Sequence, residues 1–145
     1  MFYPDSFRPA TPTDCEIEIA RDFHAPRQLV FNAFTKPELV RQWLLGPPGW
    51  TMPVCDIDLR VGGANRYVWR KTGVKDMGMG GVFRQVESPS LIVATEKFDD
   101  SWYPGEALNP TVFLEEAPSR KPGLPSATNR RKLATLRSRP EWSMA

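Results

Sequence analysis

Histidine is nearly missing from this chain: His24 is the only one in 145 residues, and cysteine occurs twice, at Cys15 and Cys55. No second metal-type ligand is spaced near either cysteine, and two cysteines make no disulfide framework. No serine or cysteine has a histidine arranged with it in a recognised nucleophile motif. Metal, cofactor and triad chemistry are therefore not expected. Long apolar runs are absent too. None approaches the roughly 18 residues of a membrane span, so no membrane association is expected. The opening "MFYPDSFRPATPTD" lacks a charged start followed by an apolar block, so no signal peptide is read. Two plain thiols then point to a reducing, cytoplasmic setting. Gly78, Gly80 and Gly81 are not followed by the Lys-Ser/Thr of a phosphate loop.

What is abundant is proline, with 15 residues, and an uneven charge. Residues 1–116 carry 12 Lys/Arg against 16 Asp/Glu, a net of −4. Residues 117–145 carry 7 against 1, a net of +6. The length suits one domain, and the charge division marks the last part as a different kind of sequence.

Periodicity gives the elements. In "CEIEIARDF", Ile17, Ile19 and Phe23 alternate with Glu16, Glu18 and Asp22, a half-buried strand. "APRQLVFNAF" changes to helical spacing, with Pro26 suited to a first helical position. "TKPELVRQWLL" repeats that design from Pro37, with Leu39, Val40, Trp43 and Leu44 on one stripe. Gly46 can end this second helix in a left-handed conformation, and Pro47 and Pro48 prevent its continuation. "MPVCDIDL", "NRYVWRK", "MGMGGVFRQV" and "LIVATEKF" then read as strands, with "TVFLEE" a weaker last one. A strand, two short helices and a run of antiparallel strands predict an α+β domain with one curved sheet.

The stretch "ARDFHAPRQLVFNAFTKPELVRQWLLGPPGW" resembles the opening of the START-like (SRPBCC) superfamily, in the branch named after the activator of the heat-shock-protein-90 ATPase. The resemblance rests on Arg21 and Phe23 at the strand end, Ala25, Pro26, Val30 and Phe31 at the helix start, and Trp43, Gly46 and Pro47 at the junction. "DLRVGGANRYVWR", "GGVFRQVESPSLIV" and "FDDSWYPGEAL" follow in the family's order, so about residues 15–108 are covered. The resemblance implies a helix-grip fold: a curved antiparallel sheet around a long C-terminal helix, two short helices closing one end, and an apolar cavity between.

In that fold Trp43 is expected to face the interior, and Trp50 to line or cap a cavity mouth. Tyr67, Trp69, Met77, Met79, Phe83, Phe98 and Trp102 are candidates for an adaptable cavity wall, although an alternating aromatic face is more often plain core, and strand register decides which of them face a cavity. Catalytic candidates are few. His24 suits a capping or surface role, and Asp56 and Asp58 suit a solvated strand face. Arg66, Arg84 and Glu96 are the residues an acid/base enzyme would draw on. The leading expectation is non-catalytic binding of a small hydrophobic or aromatic molecule. The alternatives are a protein-interaction role like that of the chaperone activator, with stress-response associations, and a cyclase- or hydrolase-type enzyme.

The chain then divides as a flexible N-terminal segment over 1–14, a START-like domain over 15–116 and a basic, proline-rich tail over 117–145. Pro110 sits where a ladder donor is expected, and Pro118, Pro122, Pro125 and Pro140 follow it. No clean period-two run is visible after "TVFLEE". The tail is expected to be irregular, with at most a short helix around 129–138. The family's final strand and most of its long helix look missing, as in a truncated, frameshifted or divergent member. A cavity lacking one wall would leave the chain marginally stable or self-associating. The basic tail lacks interleaved aromatics and any binding motif, so no nucleic-acid partner is expected.

Overall fold

The computed structural model of the chain describes residues 8–13, 16–101, 104–116 and 126–135. Ten elements follow in order: β1 (Arg8–Thr13), β2 (Glu16–Phe23), α1 (Arg27–Thr35), α2 (Pro37–Trp43), β3 (Thr51–Ile57), β4 (Ala64–Arg70), β5 (Met77–Glu87), β6 (Leu91–Phe98), β7 (Ala107–Glu116) and β8 (Ser126–Thr135). The strands form one curved eight-stranded sheet in the order β1-β2-β8-β7-β6-β5-β4-β3, with every pair antiparallel. The helical pair carries the chain from β2 to the far edge, and a meander from β3 to β8 returns it to β2. This is the α+β helix-grip arrangement that the sequence resemblance implies.

Proline decides why there are two short helices rather than one. Lys36 precedes Pro37 and is extended, with φ −96° and ψ 119°, because the proline ring excludes helical geometry from the residue before it. Within α1, Val30 and Phe31 are buried, and the Thr35 hydroxyl donates to the Phe31 carbonyl at 2.9 Å. In α2, Pro37 opens the first turn, Glu38 and Arg41 suit the helix dipole at its two ends, and Val40 is buried. Gly46 follows at φ +83°, the left-handed conformation that turns the chain towards β3.

Two apolar clusters form the core. Phe31 and Phe34 of α1 meet Phe113 of β7 edge-on, at ring separations of 5.3 and 5.4 Å, and Phe113 is completely buried. Val40 of α2 packs with Met52, Cys55, Trp69 and Met79.

Two expectations are corrected at the ends of the chain. The segment assigned as flexible, 1–14, contains β1, whose Arg8, Pro9 and Ala10 pair with Ala20, Ile19 and Glu18. Pro9 and Pro12 disguise it, but β1 is an edge strand, where a proline without N–H is tolerated. The tail assigned as irregular or briefly helical contains β8. It pairs with β2 from Glu16↔Ala134 to Phe23↔Ala127, and with β7 on its other side. "SATNRRKLAT" has no alternating pattern and several good helix formers, yet insertion between two open strand edges supplies ladder partners on both sides and overrides propensity. The final strand is thus present, and the sheet extends beyond the expected 15–116 at both ends. The expectation of a missing long helix falls on residues 136–145, outside the described residues.

Pro110 lies inside β7 after all. It faces Val93 on β6, while pairing with β8 stops at Leu108↔Ala134 and resumes at Thr111↔Arg131. The missing donor thus coincides with an interruption of the ladder.

Candidate functional site

Four adjacent strands present one face to the helices. Asn65, Tyr67 and Trp69 lie along β4, Met77, Met79 and Phe83 along β5, Ile92, Ala94, Glu96 and Phe98 along β6, and Asn109 and Thr111 along β7. Their period of two follows from strand geometry, and the register locks them together: Met79 faces Tyr67 on one side and Phe98 on the other, and Ala94 faces Phe83 and Asn109. Phe34, Val40, Trp43, the turn Leu44–Pro47 and Trp50 close the opposite side. Together they enclose a cavity of about 600 Å³.

Eight of the nine residues predicted for a cavity wall line this one space: Trp43, Trp50, Tyr67, Trp69, Met77, Met79, Phe83 and Phe98. Trp102 lies outside the described residues. Trp43 differs from expectation, since it sits at the rim with 46% of its surface exposed rather than facing inwards. Its ring packs on Phe34 at 4.8 Å, and its indole N–H donates to the Ala33 carbonyl at 2.8 Å, tying α2 to α1. Trp69 is buried, and its indole N–H donates to the Leu44 carbonyl at 2.7 Å, fastening β4 to the end of α2. Tyr67 stacks beside it at 6.0 Å.

Sequence reasoning missed Asn65, Ala94, Thr95, Asn109 and Thr111, and with them most of the polar wall. Asn109, Thr111 and Phe113 alternate, and that period was the available signal; reading β7 only from Thr111 hid it. Within the cavity the Asn109 side-chain amide donates to the Glu96 carboxylate. Asn109 and Glu96 are diagonal neighbours, because Asn109 faces Ala94 and Glu96 faces Ala107. Thr95 accepts the Val82 backbone N–H at 2.9 Å. Among the described residues the buried Asn109 Oδ1 has no hydrogen-bond partner.

The remaining candidates lie apart. Of Arg66, Arg84 and Glu96, only Glu96 lines the cavity. Arg66 makes a bidentate pair with Asp99 at 2.7 and 2.6 Å, and this contact holds the Asp99 carboxyl below its ordinary range. Arg84 is exposed. Asp56 is exposed, and exposed Asp58 pairs with Arg60 at 2.8 Å. His24 occupies the bend between β2 and α1. Cys55 is buried, and burial pushes its thiol up, with the Arg41 charge partly opposing. Among the described residues no group of histidine, cysteine and carboxylate side chains could hold a metal, and no helix is long and apolar enough to cross a membrane.

The family model described as "Activator of Hsp90 ATPase homolog 1-like protein" matches residues 24–121. The chain belongs to this family. Curated proteins give no match. Among solved structures, a Rhodobacter sphaeroides protein is 25% identical with a TM-score of 0.75, over 90% of this chain and 80% of that one. A Staphylococcus epidermidis protein is also 25% identical, with a TM-score of 0.66 over 85% and 74% of the two chains. An HSP90 activator from Plasmodium falciparum is 20% identical, covers 83% and 73%, and has a TM-score of 0.61, a likeness of fold. The match of the family model starts at the β2–α1 bend, and it extends past Glu116.

Proposed function

We propose that this member of the activator-of-Hsp90-ATPase-homologue family binds a small hydrophobic or aromatic molecule in the cavity between its sheet and its helical pair. The observation that carries the reading is the cavity itself: about 600 Å³, walled by tryptophan, methionine and phenylalanine, with its few polar groups gathered on β4, β6 and β7. That size and that mixture are those of small-molecule sites. Methionines at 77 and 79 let the wall adapt to ligand shape, while the hydrogen-bonded indoles of Trp43 and Trp69 hold their rings fixed, so little ordering is required on binding.

Binding rather than turnover is favoured by the state of the polar groups. Glu96 is the one carboxylate among the described lining residues, and neither a histidine nor a second carboxylate stands with it in that lining to form an acid/base pair. The test is a titration with 4-pentylphenol, followed by tryptophan emission and by calorimetry. Wild-type protein saturates at one site. Ala94→Phe, which places a ring in the middle of the cavity, abolishes saturation while circular dichroism stays unchanged. Equal binding by wild type and Ala94→Phe would place the ligand elsewhere and end the proposal.

A further inference from the structure

We infer that the cavity selects apolar molecules that carry a positively charged ammonium group, which Glu96 receives. The inference rests on the ligand-binding reading above and deepens it by naming the ligand's chemical class. Among the described lining residues Glu96 is the only charged side chain, and no lysine, arginine or histidine stands with it there. It is partly exposed, and it shares its strand face with Ile92, Ala94 and Phe98, which line the cavity with it. The direction of the carboxylate follows from its partner. The Asn109 amide donates to its Oε2, and Asn109 faces Ala94, a residue of that same wall. The carboxylate therefore lies along the wall towards Ala94 and Asn109. Its two oxygens offer about four acceptor positions, so the donors it already holds do not exhaust it.

The rings around Glu96 add to the same preference. Phe98 lies two residues along the same face, and Met79 joins it to Tyr67 in one cross-strand row. Aromatic faces carry negative charge density and attract ammonium groups. An anion meets the opposite conditions. The Trp43 and Trp69 N–H groups are spent on the Ala33 and Leu44 carbonyls, and the charge of the wall repels it. In a space with little water that single charge is felt more strongly than at the surface. A primary ammonium with an apolar tail thus matches the cavity in both its parts: N–H donors for the carboxylate, and hydrocarbon for the methionine and tryptophan wall.

The experiment is calorimetric titration of the full chain at neutral pH with 4-pentylbenzylamine, 4-pentylbenzyl alcohol and 4-pentylbenzoate, which share a tail and differ in charge. Wild-type protein binds the amine about tenfold more tightly than the alcohol, as one hydrogen bond to a charged group implies, and binds the benzoate more weakly than either. Glu96→Gln keeps the size of the side chain but removes its charge, and it brings amine and alcohol to within about twofold, chiefly by weakening the amine. Asp56→Asn removes an equal charge from an exposed strand position outside the cavity and leaves the preference intact. In wild type, nuclear Overhauser contacts from the benzylic protons of the bound amine to the Glu96 and Phe98 side chains place the ammonium without any variant. If wild type binds amine and alcohol equally, the charge selection falls while the cavity reading stands. If none of the three compounds binds, both fall. A preference that survives in Glu96→Gln, one that Asp56→Asn removes as well, or absence of those Overhauser contacts overturns the assignment to Glu96.

Discussion

Two glycines three residues apart on β5 should respond very differently to the same added methyl group. A Cβ on Gly81 would lie 2.6 Å from the carbonyl carbon of Thr95 and closer still to its oxygen. Backbone is met there, on a strand held by β5 and β7 alike, so relief requires moving β6 relative to β5. A Cβ on Gly78 would meet the Asp99 carboxylate, 2.9 Å from its Cγ, and the Arg66 guanidinium. Both are ends of exposed side chains that can swing away, at the small cost of loosening a solvent-screened surface pair. Either replacement also restricts the unfolded chain, a gain of about 0.4–1 kcal/mol. For Gly78→Ala the two effects nearly cancel, and stability should stay within about 0.5 kcal/mol of wild type. For Gly81→Ala, overpacking costs about 1–3 kcal/mol, and backbone contact places it at the upper end, so a net loss of about 2 kcal/mol remains. Urea unfolding followed by tryptophan emission measures both, with the midpoint falling for Gly81→Ala at an unchanged slope. Because Gly81 faces Asn65 on β4, a wall residue, Gly81→Ala should also weaken binding of 4-pentylphenol. Equal stability of the two variants, or a larger loss in Gly78→Ala, would refute the reasoning.

Trp69→Phe keeps a ring in the wall but removes the donor to Leu44, and it should cost about 1 kcal/mol and lower the thermal midpoint by a few degrees. The Asp99 carboxyl is held low by the Arg66 hydrogen bonds, so its folded pKa lies below the unfolded one. Its contribution is present above the unfolded value, near pH 4, and is lost as pH falls through the folded value. A pH series of melts should show that loss in wild type and a weaker one in Arg66→Gln, with high salt muting both, since the pair is exposed. Amide exchange should be slow across β8, whose neighbours lie on both sides, and fastest in β8 opposite Asn109 and Pro110, where the ladder is interrupted. Uniformly fast exchange over 126–135 would contradict the strand.

The parts of the fold legible in the sequence are those where one physical signal acts alone. Ile17, Ile19 and Phe23 alternate and so mark β2 as a strand, but only Phe23 reaches the apolar core, while Ile17 is exposed and Ala20 on the other face is the buried residue; Pro37 marks a helix boundary whatever the tertiary context. The aromatic and methionine wall was legible because Tyr67, Trp69, Met77 and Met79 repeat at a period of two, alternating with Arg66, Val68 and Arg70 on β4 and with Gly78 and Gly80 on β5. Where signals conflict, the sequence misleads. β1 and β7 contain prolines, which argue locally against a strand, and only position in the sheet or a break in the ladder resolves the conflict. β8 has the composition of a basic tail, and its strand state comes from the open edges of β2 and β7, information held in other parts of the chain. The Asn109–Glu96 contact was lost with the start of β7, because such a diagonal pair exists only once the register is known.

Two of the tryptophans that line the cavity, Trp43 and Trp69, also bear on ligand chemistry. Indole N–H groups are frequent donors in binding sites, yet those of Trp43 and Trp69 are consumed by the carbonyls of Ala33 and Leu44, so these rings offer a ligand only apolar faces and edges. Glu96 places a carboxylate beside Asn109 on the same wall. A ligand carboxylate brought to that end would meet a like charge in a poorly solvated space, where repulsion is strong. An acid can enter only with its charged group left at the mouth near Trp43, whereas a phenol or an amine can place its polar group on the wall. The cavity thus disfavours anionic groups on two counts: the indole donors of Trp43 and Trp69 are spent on backbone carbonyls, and Glu96 sets a negative group on the wall.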